Sequence, residues 1–159
     1  MSPRLARRAA AGLGLTVFAL ASAVGFGCST DAVGIDACRT IESARCEAAP
    51  SCEGDDTSFG IATEEQVRNC KVFYNDHCLL GLENDAAEPD PDDVTKCEAA
   101  IQNVAACKTS RVASMADCQD KKGKAVEMVD AAAAQLTPCE AIKAPEKIKV
   151  CKFIEAVEE

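Results

Sequence analysis

Eleven cysteines in 159 residues are the reactive chemistry of this chain. They stand at Cys28, Cys38, Cys46, Cys52, Cys70, Cys78, Cys97, Cys107, Cys118, Cys139 and Cys151. A thiol can ligate a metal, exchange redox equivalents, act as a nucleophile or close a disulfide, and spacing separates these uses. Structural zinc favours two to four residues between ligands. No Cys-x-x-Cys occurs, and no two cysteines are three or four positions apart. Thioredoxin-like and haem-attachment patterns need that same dipeptide spacing. What remains is the disulfide framework of an exported protein. Eleven is odd, so one thiol must stand outside it.

The first cysteine stands apart. Arg4, Arg7 and Arg8 precede an uncharged run from Ala9 to Gly27, and no acid occurs before Asp31. A basic start, an apolar middle and small residues near a cut are the parts of a secretory signal. The run is long enough to span a bilayer, but Gly12, Gly14, Gly25 and Gly27 interrupt it. In its Gly27-Cys28 junction the chain resembles bacterial lipoprotein precursors, with Gly25 where leucine is usual and a bulky Phe26. The resemblance covers about the first 30 residues. It implies cleavage before Cys28, lipid on Cys28 and attachment to the membrane through that lipid. Ser29, in place of an aspartate, implies the outer membrane. Cuts after Ala21 or Ala23 would instead release a soluble secreted protein.

Composition sets what the remaining chain can do. Loss of residues 1–27 removes three arginines and no acid, which moves the formal charge from −9 to −12. Such a surface repels nucleic acid phosphates, so no nucleic acid partner is expected. From Cys28 onward there is no Trp, one Tyr and three Phe. Leu, Ile, Val, Met and Phe make up 26 of those 132 residues, and alanine supplies much of the rest of the apolar content. Burial is worth roughly 25 cal/mol per Å², so a core of this kind is thin. Disulfides at roughly 2–4 kcal/mol each offset the deficit.

The elements that must position the cysteines read as helices. Asp36 is a candidate N-cap for a helix to about Ala48, with Pro50 just past its end. Thr63-Glu64-Glu65-Gln66 is a capping box. It opens a helix whose seam is Val67, Cys70, Tyr74 and Cys78, ending near Gly81. Asp90-Pro91 opens a third, with Val94, Cys97, Ile101 and Val104 on one face. A further turn or two is expected between Arg111 and Gln119. Val126, Val129, Ala133 and Leu136 suggest another helix after Gly123. Thr137-Pro138-Cys139-Glu140 is a second capping box, and Pro145 starts a last helix bearing Val150, Phe153, Ile154 and Val157. Cys-Glu-Ala recurs at Cys46, Cys97 and Cys139, and Cys-Lys at Cys70, Cys107 and Cys151, a faint sign of duplicated helical units.

Spacing constrains two bridges. Cys38 and Cys46 are eight apart, as are Cys70 and Cys78. Eight helical residues rise about 12 Å, whereas bridged Cα atoms lie within roughly 7 Å. Neither pair can close on itself, but antiparallel helices with equal spacing can match rung to rung. That predicts Cys38–Cys78 and Cys46–Cys70. Cys139 and Cys151 could bridge across the Pro145 break. Cys52, Cys97, Cys107 and Cys118 have no assignable partner.

Other sites are weaker. His77 is the sole histidine, beside Cys78, with no Gly-x-Ser-x-Gly nucleophile to serve. The acidic stretch Glu83, Asp85, Glu88, Asp90, Asp92 and Asp93 lacks the glycine and distal glutamate of an EF-hand. It reads as a cap plus negative charge at a helix N-terminus. Glu53, Asp55 and Asp56 form a smaller cluster of the same kind. The expected fold is all-α: a small disulfide-stapled bundle of about four to six short helices after a cleaved signal peptide. Its parts are a signal at 1–27, an anchor and tether at 28–35 and a cysteine-rich domain at 36–159. The expected role is a non-enzymatic binding or structural module on the cell envelope, with an unknown envelope protein as partner. No catalytic residue, metal site or cofactor is expected. Two other readings stay open: a periplasmic metal-handling protein using free thiols or the acidic loop, and a soluble secreted disulfide-rich protein.

Overall fold

A computed structural model describes residues 33–55, 59–82 and 88–154. Cys28 and the expected leader lie outside the described residues, as do Asp56, Glu83, Asp85 and Val157. Among the described residues four α-helices, joined and extended by short 3-10 turns, make an all-α fold: α1 (Ile35–Ala48), α2 (Glu64–His77), α3 (Pro91–Thr109) and α4 (Pro138–Lys143). Among the described residues the extended structure is limited to two isolated bridges, Gln119 with Ala125 and Met128 with Ile148.

Local chemistry starts each helix. Thr63 accepts from the Gln66 amide while the Gln66 side chain accepts from the Thr63 amide, the reciprocal box that opens α2. Thr137 and Glu140 do the same for α4. Asp90 caps α3 by accepting from the Asp92 amide at 2.8 Å, with Pro91 in the first turn. α1 corrects the expected start. Its N-cap is Gly34, in the left-handed region at φ 71°, and Asp36 lies in the first turn. The left-handed backbone favours glycine there, and a Cβ on Gly34 would meet Leu82 Cδ1 at 2.7 Å, so the Leu82 side chain would have to shift. At the other end α1 stops at Ala48 and Pro50 lies just past it, as expected. It enters a 3-10 turn, Ala49–Cys52, that continues directly from α1.

The core lies between α1, α3, α4 and the C-terminal segment. Ile41, Ala44 and Ala48 meet Ala100, Ile101, Val104, Ala141, Ile142, Ile148 and Met115. The four seam positions of α3 named by periodicity are all buried. α2 departs from its seam. None of its own residues is buried, and Val67, Cys70 and Tyr74 are only half-buried. Of that set only Cys78, just beyond the helix, is closed from solvent.

The expected helix through Val126, Val129, Ala133 and Leu136 does not form. Only a 3-10 turn, Ala133–Gln135, appears there. Backbone groups of this stretch find partners elsewhere: Val126 N–H donates to Cys118 O, Val129 N–H to Lys147 O, and Glu127 O accepts from Lys149 N–H. Val126 and Met128 pack half-buried on the core at period two. Tertiary partners thus outcompete local helical bonds. A 3-10 turn, Met115–Asp117, lies in the 111–119 stretch where a short turn was expected. The last described residues form 3-10 turns at Pro145–Lys147 and Lys149–Ile154 in place of one helix. There Ile148 and Cys151 are buried and Val150 is exposed, so the inward set differs from the one periodicity names.

Candidate functional site

The ten cysteines from Cys38 to Cys151 form five disulfides. Cys38 joins Cys78 and Cys46 joins Cys70, with Cα separations of 5.6 and 5.8 Å. This is the rung-to-rung pairing of α1 and α2 that equal eight-residue spacing predicts. Lys71 reinforces it through an ion pair with Glu47. The other three bridges lie in the core: Cys52–Cys139, Cys97–Cys151 and Cys107–Cys118. The expected Cys139–Cys151 bridge is therefore incorrect. Pro145 does turn the chain between them, but Cys139 at the start of α4 faces Cys52 beyond α1. Cys151 faces Cys97 on α3. The two flanks of the turn pack against different elements.

No thiol among the described residues remains free to ligate a metal or attack an electrophile. Among these residues no group of three or more His, Cys, Asp or Glu side chains is placed to hold a metal ion. Glu88, Asp90 and Asp93 of the acidic stretch are engaged in structure. Glu88 accepts from the Gly34 amide at 2.8 Å, Asp90 caps α3, and Asp93 pairs with Lys96 at 2.7 Å. The hydrogen bond and charge of Asp93 hold the Lys96 ammonium above its ordinary pKa. Asp55 pairs with Lys108 at 2.7 Å, tying the turn after α1 to the end of α3.

A second charged region borders a cleft of about 250 Å³ lined by Lys96, Asn103, Asp120, Lys124, Glu127 and Ile148. The amides of Lys124 and Lys122 donate to Asp120 at 2.9 and 2.8 Å and hold its carboxyl below the usual range. The Lys149 ammonium does the same for Glu127. These contacts close the turn at 120–124 and clip the last segment to it.

Inside the fold, one arginine joins α1 to α4. Arg45 donates to the carbonyls of Ile142 and Lys143 at 3.0 and 2.9 Å and to Glu42 Oε1 at 2.6 Å. Glu42 Oε2 is buried without a hydrogen-bond partner.

His77 leaves the cysteines and joins an exposed apolar face. Its ring stacks on Phe73 at 5.5 Å, and Tyr74 meets both rings edge-on. On this face Val72 is 61 % exposed, Phe73 60 %, Leu79 52 % and Leu80 78 %. The sequence reading missed this set. Its signal was the Leu79-Leu80 doublet directly after a bridged cysteine, since adjacent side chains on a turn cannot both face one core.

The fold and the bridges together define a disulfide-stapled, all-helical module. No family model, curated protein or solved structure matches the chain. Among the described residues no helix is long and apolar enough to cross a membrane.

Proposed function

We propose that this chain is an envelope lipoprotein: a disulfide-stapled helical module, moored by lipid on Cys28, that works as a non-enzymatic binding or structural element. The observation that carries the proposal is the cysteine pairing. Cys38 through Cys151 pair among themselves, so of eleven cysteines only Cys28 has no partner in the set. That residue is the one standing at the end of a leader-like segment. An odd thiol in an exported protein needs a fate, and acylation supplies one. The lipid gives the module its membrane, and Ser29 points to the outer one. Its polypeptide partner is an envelope protein of unknown identity, for which an acidic surface favours basic contacts.

Intact mass of the membrane-extracted protein tests the proposal. The expected species begins at Cys28, carries acyl chains and lacks two hydrogens for each of five bridges. A Cys28→Ser form should leave the detergent phase or keep its uncleaved leader. Equal partitioning of two fully processed forms would remove the lipid anchor. A mature mass starting after Ala21 or Ala23 would favour the secreted reading.

A further inference from the structure

We propose that the exposed tip built by Phe73, Leu79 and Leu80 rests on the lipid surface in which Cys28 is moored. This rests on the lipoprotein reading above and adds an orientation to it. The tip cannot satisfy its apolar groups within the fold. Cys78 is fully buried and bridged to Cys38, which pins the turn Cys78–Leu80 against α1. The leucines that follow point away from the core and stand more than half exposed. Phe73 and Val72 extend the same face one to two turns back along α2, and His77 stacks on Phe73.

What names the occupant is where the described chain begins, at Val33. The Leu82 amide donates to the Val33 carbonyl at 2.8 Å, and Leu82 lies against Gly34. Val33, to which the tether is joined, therefore lies beside Leu82, two residues beyond the leucine pair. Cys28 is five residues before Val33, a reach of at most roughly 17 Å for an extended chain. A lipid on Cys28 thus holds this end of the molecule, and no other, within contact of the bilayer. Aromatic and aliphatic side chains of an interfacial segment sink about 5–10 Å, to the boundary of headgroups and acyl chains. Asp76 and His77, exposed on the same turns of α2, remain among the headgroups. The strongly acidic chain makes zwitterionic lipid the better surface.

The chain has no tryptophan, so a single one reports depth. Leu80→Trp places it at the tip, at a side chain 78 % exposed. Thr109→Trp places it at the far end of α3. That helix begins beside Gly34, through Glu88, and its 19 residues put Thr109 about 27 Å away. Both lipidated proteins go into phosphatidylcholine vesicles with brominated acyl chains, and Phe73→Trp serves as a second tip probe. The tip probes should lose roughly half their emission to the bromines while Trp at 109 loses none. An acylated protein, verified by mass, whose tip probes are not quenched overturns the docking and leaves the lipoprotein reading intact. So does a tip probe shielded by a second copy of the chain, seen as a dimer with blue-shifted, unquenched emission. A mature mass without acyl chains overturns both.

Discussion

Cys52 and Cys139 stand 87 residues apart in the chain and 5.7 Å apart at Cα. This bridge closes the longest ring of the fold and fixes α4 against the end of α1. Cys107 and Cys118 close the shortest, with a separation of 11. In the chain-entropy account a bridge stabilises by constraining the unfolded chain, at about 4.6 kcal/mol for the long ring and about 2.8 kcal/mol for the short one. The paired Cys52→Ser, Cys139→Ser variant should melt below the paired Cys107→Ser, Cys118→Ser variant. Thermal unfolding by circular dichroism reads the order. The reverse order would mean that strain or residual unfolded structure outweighs ring size.

α2 depends on sulfur more than on burial. None of its residues is buried, and two bridges and the Lys71–Glu47 pair hold it to α1. Replacing Cys38, Cys46, Cys70 and Cys78 by serine should free α2 and spare the core. Hydrogen exchange should show amides of Glu64–His77 losing protection by a hundredfold or more, about 2.7 kcal/mol of local opening. Amides around Ile101 and Val104 should stay protected. Equal loss in both regions would show that the hairpin supports the core.

Arg45 ties α1 to α4 through polar contacts. Its guanidinium reaches two α4 carbonyls and Glu42 at once, a fork that an ammonium cannot copy. Arg45→Lys should cost about 1–2 kcal/mol and Arg45→Ala about 2–3 kcal/mol in denaturant unfolding. The alanine change also strands the Glu42 carboxylate, one oxygen of which already lacks a partner. Adding Glu42→Ala should therefore cost less than it does alone. Simple additivity of the two changes would argue against the coupling.

Acid should loosen the turn at 120–124. Amides of Lys124 and Lys122 depress the Asp120 carboxyl. A depressed acid contributes stability that is present above its ordinary pKa and is lost as pH falls through the depressed value. The melting difference between the native chain and Asp120→Ala should be steady near neutrality. It should shrink only below the ordinary carboxylate range. A difference that stays constant into strong acid would show that the carboxylate charge plays no part.

Much of this molecule was legible before its shape. Thr63 with Gln66, Thr137 with Glu140 and Asp90 with Pro91 start helices where their side chains say they should, because capping is a bond between near neighbours. The α3 face of Val94, Cys97, Ile101 and Val104 is buried as its period demands. Equal spacing of Cys38, Cys46, Cys70 and Cys78 sufficed for two bridges, since a rigid helix converts sequence distance into length. The same reasoning failed at Asp36, two residues too far along, because a glycine with positive φ and a distant Glu88 carboxylate start α1 instead.

The remaining features needed the fold itself. Val126 through Leu136 carry a helical period, yet their amides and carbonyls pair with Cys118, Lys147 and Lys149, which are close only once α3 and the C-terminal segment have packed. Cys139 and Cys151 are neighbours along the chain but meet Cys52 and Cys97, since a bridge joins whatever stands within about 7 Å. The exposure of Phe73, Leu79 and Leu80 depends likewise on which side α1 covers. Local bonds between near residues are written in residue order, whereas long-range pairing and exposure depend on which surfaces win the competition for burial.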